Sequence, residues 1–192
     1  MEKDSLKGKY TIAVIGGSAG SLEVIISMLQ DLRNMNMALI IVIHRKGTLH
    51  STLAELLNLR SMVKVKEAEE KEEVRAGHVY IAPADYHLLI EKNGTLSLDY
   101  SEKVNFSRPS IDVTFECAAQ VYGDKVVGVL LSGGNADGVE GMKKIKKAGG
   151  LCVIQDPATA LVSFMPQHAR NEVAIDMVLP EEELATLLND IA

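Results

Sequence analysis

The feature that most restricts this chain is a pair of short, almost wholly apolar runs, Tyr10–Ile15 (YTIAVI) and Ala38–Ile43 (ALIIVI). Runs of this kind, without polar alternation, suit strands buried on both faces, as in a parallel sheet covered by helices. Between them, Ser21–Leu32 sets Leu22, Ile25, Ile26, Leu29 and Leu32 at helical spacing. Strand, helix and strand within about 30 residues form a βαβ unit, so the two strands should run parallel. A further helical stretch is expected around Ser51–Leu59.

The middle of the chain reads differently. Glu67–Glu73 is mostly acidic and is expected to be a solvated loop, with Val79-Tyr80-Ile81 following as a strand. His87–Glu91 and Thr95–Tyr100 flank Asn93-Gly94, a strong hairpin signal that predicts an antiparallel flap attached to the parallel sheet. Pro109 suits a first helical turn, with the helix continuing over Ile111–Tyr122 until Gly123. Lys125–Leu131 reads as a strand, Val139–Ala148 as a helix closed by Gly149-Gly150, Leu151–Ile154 as a strand and Glu181–Ile191 as a helix. With 192 residues and no repeat or linker, one domain spanning residues 1–192 is expected. Its class is α/β: doubly wound, with a mostly parallel sheet, helices on both faces and a small antiparallel hairpin.

Composition narrows the function classes. A net charge of −6, no Trp and 4% aromatic residues argue against nucleic-acid binding, which wants a basic stripe or stacking side chains. No run approaches the roughly 18 apolar residues of a membrane span, and the charged start MEKDSLKGK has no signal core. Cys117 and Cys152 lie in apolar stretches without metal or redox spacing, which fits a reducing cytoplasm.

In open parallel sheets, ligands bind outside the carboxyl ends of the strands. That rule selects Ser18 in the glycine-rich turn after the first strand, His44 at the end of the second, and Asp137 in Ser132–Gly138 after the third. Together they could supply the nucleophile, base and base-orienting group of a hydrolytic triad. The surrounding glycines permit tight turns and leave backbone N–H groups free to face an oxyanion. Simpler roles compete. Ser18 could cap the first helix, His44 could be a satisfied strand-end histidine, and Asp137 could cap the helix beginning at Val139. Convergence on one sheet edge favours chemistry.

Other chemistries fit less well. Gly16–Ser21 lacks the G-x-G-x-x-G spacing, and His44 stands where ribose recognition wants an acid. No G-K-[ST] follows, so it is not a P-loop. The five histidines show no ligand spacing, so neither metal nor cofactor is expected. Lys143, Lys144, Lys146 and Lys147 read as a solvated helix face.

These segments resemble the catalytic domain of the chemotaxis protein-glutamate methylesterases, the CheB type. The resemblance rests on Ile15–Ser21, Ile43-His44, Gly77–Pro83, Arg108–Val113, and Gly128–Gly133 leading to Asp137-Gly138, with Met165-Pro166 as a further turn. It implies Ser18 as nucleophile, His44 as general base and Asp137 as the group orienting it. It also implies oxyanion donors near Ala19 and Gly134, and site roles for Arg108 and Met165. The implied substrate is the glutamyl γ-methyl ester of a methylated chemoreceptor cytoplasmic domain, with glutamine deamidation as a related activity. A weakly catalytic adaptor, or an esterase or amidase with another protein substrate, is the alternative. The sequence departs from the family at Ala19-Gly20-Ser21, where Thr-Gly-Gly is usual. It also departs at Gly134, where methionine is usual, and at Arg45-Lys46, where Met-Pro is usual. Typical members carry a receiver domain ahead of the esterase, and too few residues precede Tyr10 for one. Constitutive activity, or control by a separate protein, is therefore expected. A histidine base works only when neutral, so kcat/KM should fall on the acid side through a single ionisation.

Overall fold

The computed structural model describes residues 6–33, 35–45 and 52–192. The first half of the chain forms β1 (Ile12–Gly17), α1 (Ser21–Asp31), β2 (Ala38–Ile43), α2 (Leu53–Arg60), β3 (Lys64–Glu67) and β4 (His78–Ile81). A hairpin of β5 (His87–Ile90) and β6 (Leu96–Asp99) follows. The second half forms α3 (Ile111–Tyr122), β7 (Val126–Leu130), α4 (Val139–Lys147), β8 (Leu151–Gln155), α5 (Phe164–Glu172), β9 (Met177–Leu179) and α6 (Glu181–Ile191). The main sheet runs β3-β4-β2-β1-β7-β8-β9, and every neighbouring pair is parallel.

Every residue of β1, β2, β7 and β8 is buried, as the apolar runs require. Strand periodicity divides them between two cores. Ala13 and Ile15 join Val24, Ile25, Met28 and Leu29 of α1 and Leu184, Leu187 and Leu188 of α6 on one face. Ile12 and Val14 join Ile111 and Phe115 of α3, Met142 and Ile145 of α4, and Met165 of α5 on the other. Each buried aliphatic side chain contributes about 1.5–3 kcal/mol relative to exposure, so the helices are held to both faces by the sheet's own side chains. Among the described residues no helix is long and apolar enough to cross a membrane.

Several sequence expectations need correction. The hairpin forms its own two-stranded sheet rather than joining the parallel one. Its inward residues Leu88, Ile90 and Leu96 pack into the α3 core, and Thr114 Oγ1 donates to Leu88 O at 2.9 Å. An apolar hairpin face is better covered by a helix than by a sheet edge. The acidic stretch Glu67–Glu73 is loop beyond Glu67, but that residue ends an unexpected edge strand, β3, in which Val65 alone is buried and Lys66 pairs with Glu69 and Glu72. Charged residues along an edge strand discourage pairing with another chain. Pro109 lies outside α3, ahead of an extended Ser110 at the N-cap. The elements α5 and β9 were not anticipated. Ser51, expected to open the helix at α2, lies outside the described residues, as do Lys46 and His50.

The chain leaves β1 toward β2 on one side and returns to β7 on the other. The loops after β1 and β7 therefore diverge from a topological switch point at the carboxyl edge, where parallel sheets form binding crevices.

Candidate active site

β1 and β2 are paired with Gly17 opposite Ile43, and His44 N–H extends the ladder by donating to Gly17 O at 3.1 Å. Ser18 and His44 are the next residue on each strand, so they lie side by side at the sheet edge. Ser18 is not the cap of α1. That helix starts at Ser21 behind Gly20, whose φ of 80° places it in the left-handed region, and no side chain caps it. Ser21 N–H and Oγ instead donate to Ser18 O at 3.1 and 2.7 Å, and Ser18 N–H donates to Ser132 O at 2.9 Å. The backbone of Ser18 is thus fixed by both neighbouring loops, while its Oγ has no hydrogen-bond partner among the described residues.

The loop after β7 is fastened to the same place. Ser132 is buried, and its Oγ donates to Ala19 O at 2.7 Å and accepts Val162 N–H at 2.9 Å. Gly133 leaves room for its neighbours here. A Cβ at that position would lie 2.5 Å from Met165 Cε and 3.1 Å from Ser18 Cβ. Met165 is wholly buried and its N–H donates to Gly133 O at 2.9 Å, so it braces the loop from behind and has no surface to offer a substrate. The N–H groups of Ala19 and Gly134 have no acceptor among the described residues. They remain available to a developing oxyanion.

His44 Nε2 meets Asp137 Oδ2 at 2.6 Å, with the imidazole 11% exposed and the carboxylate fully buried. Since a carboxylate accepts, Nε2 carries the proton and Nδ1 keeps its lone pair. Nδ1 lies 3.4 Å from Ser107 Oγ, a neighbour that sequence reasoning missed. Among the described residues no hydrogen bond joins Ser18 Oγ to the ring, which is ordinary for a substrate-free site.

Asp137 does far more than face His44. Its Oδ1 accepts Ser110 Oγ at 2.8 Å, Asp112 N–H at 3.1 Å and Asn105 Nδ2 at 3.1 Å, while Oδ2 also accepts Ile111 N–H at 2.7 Å. Ile111 and Asp112 open α3, so this carboxylate is the distant anionic cap of that helix. At α4 it accepts only the N–H of the N-cap residue, Gly138, at 3.1 Å. Burial alone would raise its proton affinity. The hydrogen bonds from His44, Ile111, Asp112 and Asn105 outweigh that and hold the carboxyl below the usual range. No sequence signal marks these partners, because half of them are backbone amides.

A second carboxylate stands behind the first. Burial pushes Asp112 up to about 6, with the Asp137 charge adding to the effect and hydrogen bonds from Gly141 and Asn105 opposing it. Folding therefore raises the proton affinity of Asp112, and its ionised form costs about 3 kcal/mol at neutral pH. That cost is absent below the unfolded value and builds as pH rises through the folded one. Asp137 contributes in the opposite sense, stabilising above the unfolded value and losing this as the site acidifies. Asp112→Asn has no charge to bury, so its Tm should gain on the parent between about pH 4 and 7, whatever the offset at the acid end. Calorimetric Tm curves that run parallel across this range would contradict the account.

Arg108 Nη1 donates to Tyr100 O at 3.1 Å and Ser101 O at 2.6 Å, and its guanidinium lies 3.9 Å from the Tyr100 ring centroid. With His44, Arg45, Asp85, Lys103, Phe106 and Ser107 it lines a cleft of about 270 Å³ beside the imidazole. Phe106, at the lip of that cleft, is 98% exposed. The cysteines are remote from this chemistry. Both are free, and burial pushes both thiols up, Cys152 to about 12. Among the described residues no group of three or more His, Cys, Asp or Glu is placed to hold a metal ion.

A doubly wound sheet with serine, histidine and buried aspartate gathered at its switch point is an arrangement of the serine-hydrolase type. The family described as CheB methylesterase matches residues 13–188, and the chain belongs to that family. The crystal structure of the Thermotoga maritima CheB methylesterase catalytic domain superposes with a TM-score of 0.91 at 36% identity, covering 95% of this chain and 99% of that one. A Thermotoga maritima protein-glutamate methylesterase/protein-glutamine glutaminase is 38% identical over an alignment of 195 positions that covers 98% of this chain and 56% of the relative. A Leptospira interrogans protein with a provisional form of the same name is 47% identical over 179 residues, 93% of each chain.

Proposed function

We propose that this chain hydrolyses glutamyl γ-methyl esters on the cytoplasmic domain of methylated chemoreceptors, releasing methanol and leaving glutamate. The observation that carries the reading is the 2.6 Å contact of His44 with buried Asp137, in register beside an uncommitted Ser18 hydroxyl. Ser18 Oγ attacks the ester carbonyl while His44 Nδ1 takes its proton. Nε2–H stays on Asp137, which favours the imidazolium formed. The N–H groups of Ala19 and Gly134 receive the oxyanion. His44 then returns the proton to the departing methoxide, and water repeats the sequence on the acyl-enzyme. A glutamine side chain passes through the same steps with ammonia as leaving group, in keeping with the double name of the relatives. Arg108 and Lys103 give the cleft beside His44 a positive wall suited to an acidic protein substrate.

Ser107 is the rival hydroxyl, since it is the one within 3.4 Å of Nδ1. Its own N–H is spent on Val104 O at 2.9 Å, so an oxyanion formed there would lack the donors available beside Ser18. A serine-directed phosphonate should therefore form a single adduct, on Ser18, as located by peptide mass spectrometry. Ser107→Ala should lower methanol release from a methylated receptor fragment by less than about tenfold, the cost of one weak hydrogen bond. Labelling of Ser107 with Ser18 untouched would refute the assignment. Failure of the parent to release methanol would refute the function.

A further inference from the structure

Asp112 takes no part in attacking an ester, yet it is only 9% exposed directly behind the carboxylate that does. Its Oδ1 accepts Gly141 N–H at 2.7 Å, in the first turn of α4, and its Oδ2 accepts Asn105 Nδ2 at 2.7 Å. The same Asn105 nitrogen donates to Asp137 Oδ1. The two carboxylates are thus fastened crosswise. Asp137, from the loop before α4, holds the start of α3, and Asp112, from α3, holds the start of α4.

The helices approach closely enough for this because position 141 is glycine. A Cβ there would lie 2.4 Å from Phe115 Cβ and 3.0 Å from Asp112 O. Capping alone would be served by an uncharged asparagine or serine. The fold instead keeps a second buried anion beside the first, an arrangement that costs stability and is concentrated at functional sites. Facing Asp112 are Asp137, Asn105 and the amides of Gly138 and Gly141, with His44 beyond Asp137. On the far side of the α3 cap, His87 Nδ1 accepts Ser110 N–H at 3.1 Å. On the cleft side, His44 shares the lining with Arg45, Asp85, Lys103 and Arg108.

We propose that Asp112 is a positioning residue for the esterase reaction. Acting through Asp137, with Asn105 as the bridge, its charge strengthens His44 as a proton acceptor and its cross-link fixes the Asp137 carboxylate against the imidazole. The proposal rests on His44 being the base. It replaces the single acid-side ionisation expected from the sequence with two interacting ones.

The test uses two readouts on the whole chain: the pH profile of kcat/KM for methanol release, and the NMR titration of the His44 ring without substrate. In Asp112→Asn the acid limb should move to lower pH by roughly half a unit or more, because an anion favouring the imidazolium has gone. The ring titration should move with it. The parent's limb should be broader than one ionisation and become simple in the variant. If Asp112→Asn does not fold, Asn105→Gly serves, since glycine keeps the backbone φ of 50° and deletes only the bridge. That variant should lose several-fold in kcat with KM nearly unchanged. A folded Asp112→Asn with neither limb nor ring titration moved, or an Asn105→Gly with parental kcat, overturns the proposal. If the parent releases no methanol the functional reading fails, and the ring titration still decides the coupling.

Discussion

Ser18→Ala is expected to fold like the parent and to lose methanol release by at least about 10⁴-fold in kcat. The fold should survive because the Ser18 bonds to Ser132 and Ser21 use backbone atoms, which alanine retains. The rate should collapse because no other hydroxyl among the described residues combines a strand-end position beside His44 with unspent N–H groups. Matching circular dichroism and Tm, set against initial rates on a methylated receptor fragment, check both halves. Turnover within a hundredfold of the parent would remove Ser18 from the mechanism. His44→Ala should be nearly as damaging, since members of such a unit do not act additively.

Asp137 should behave differently, because its replacement damages rate and fold together. Were it only an orienting group, Asp137→Asn would be the mild member of the series. Its carboxylate instead receives His44, Ser110, Asn105 and the first amides of α3 inside the protein. An asparagine amide group must turn its NH₂ toward some of those donors, and His44 then loses its charged partner. We expect Asp137→Asn to lose about 10⁴-fold in kcat, in the range seen where a triad aspartate is neutralised. Asp137→Ala should in addition lose about 3–5 kcal/mol of stability, the scale for stranding buried partners of a removed charge. Denaturant melts separate these effects. A Tm within a degree or two of the parent for Asp137→Ala would show that the cap of α3 matters less than its geometry implies.

What could be read in advance followed from side-chain pattern. Ala38–Ile43 and Lys125–Leu131 announced buried strands because parallel sheets covered on both faces need unbroken apolar runs, and Asn93-Gly94 announced the hairpin. The placement of Ser18, His44 and Asp137 at one sheet edge was legible because the carboxyl-edge rule reads strand ends as neighbours. β3 was not legible, because an edge strand that buries only Val65 looks like the solvated acidic stretch it adjoins. The wider role of Asp137 was hidden for another reason. Beyond His44, its partners are backbone amides, the Ser110 hydroxyl and an asparagine from another loop, and none has a sequence signature. Asp112 had no signal of its own, since nothing in Arg108–Val113 reveals that α3 and the loop before α4 will bring their carboxylates together.

The central position of β1 has a consequence for how the protein is made. β1 leaves the ribosome before both of its partners, yet one of its two ladders, Ile12 opposite Val126, must wait for β7. The other, with β2, can close early. Pairing partners so distant along the chain are slow to meet, because the loop between them must be closed first. The crevice holding Ser18, Ser132 and Asp137 lies along that late seam. Nucleophile and base can stand together on the early half, but the aspartate reaches them only when the two halves join. Competence to react with an acylating probe should therefore be the last property a refolding chain acquires, after its helices have formed.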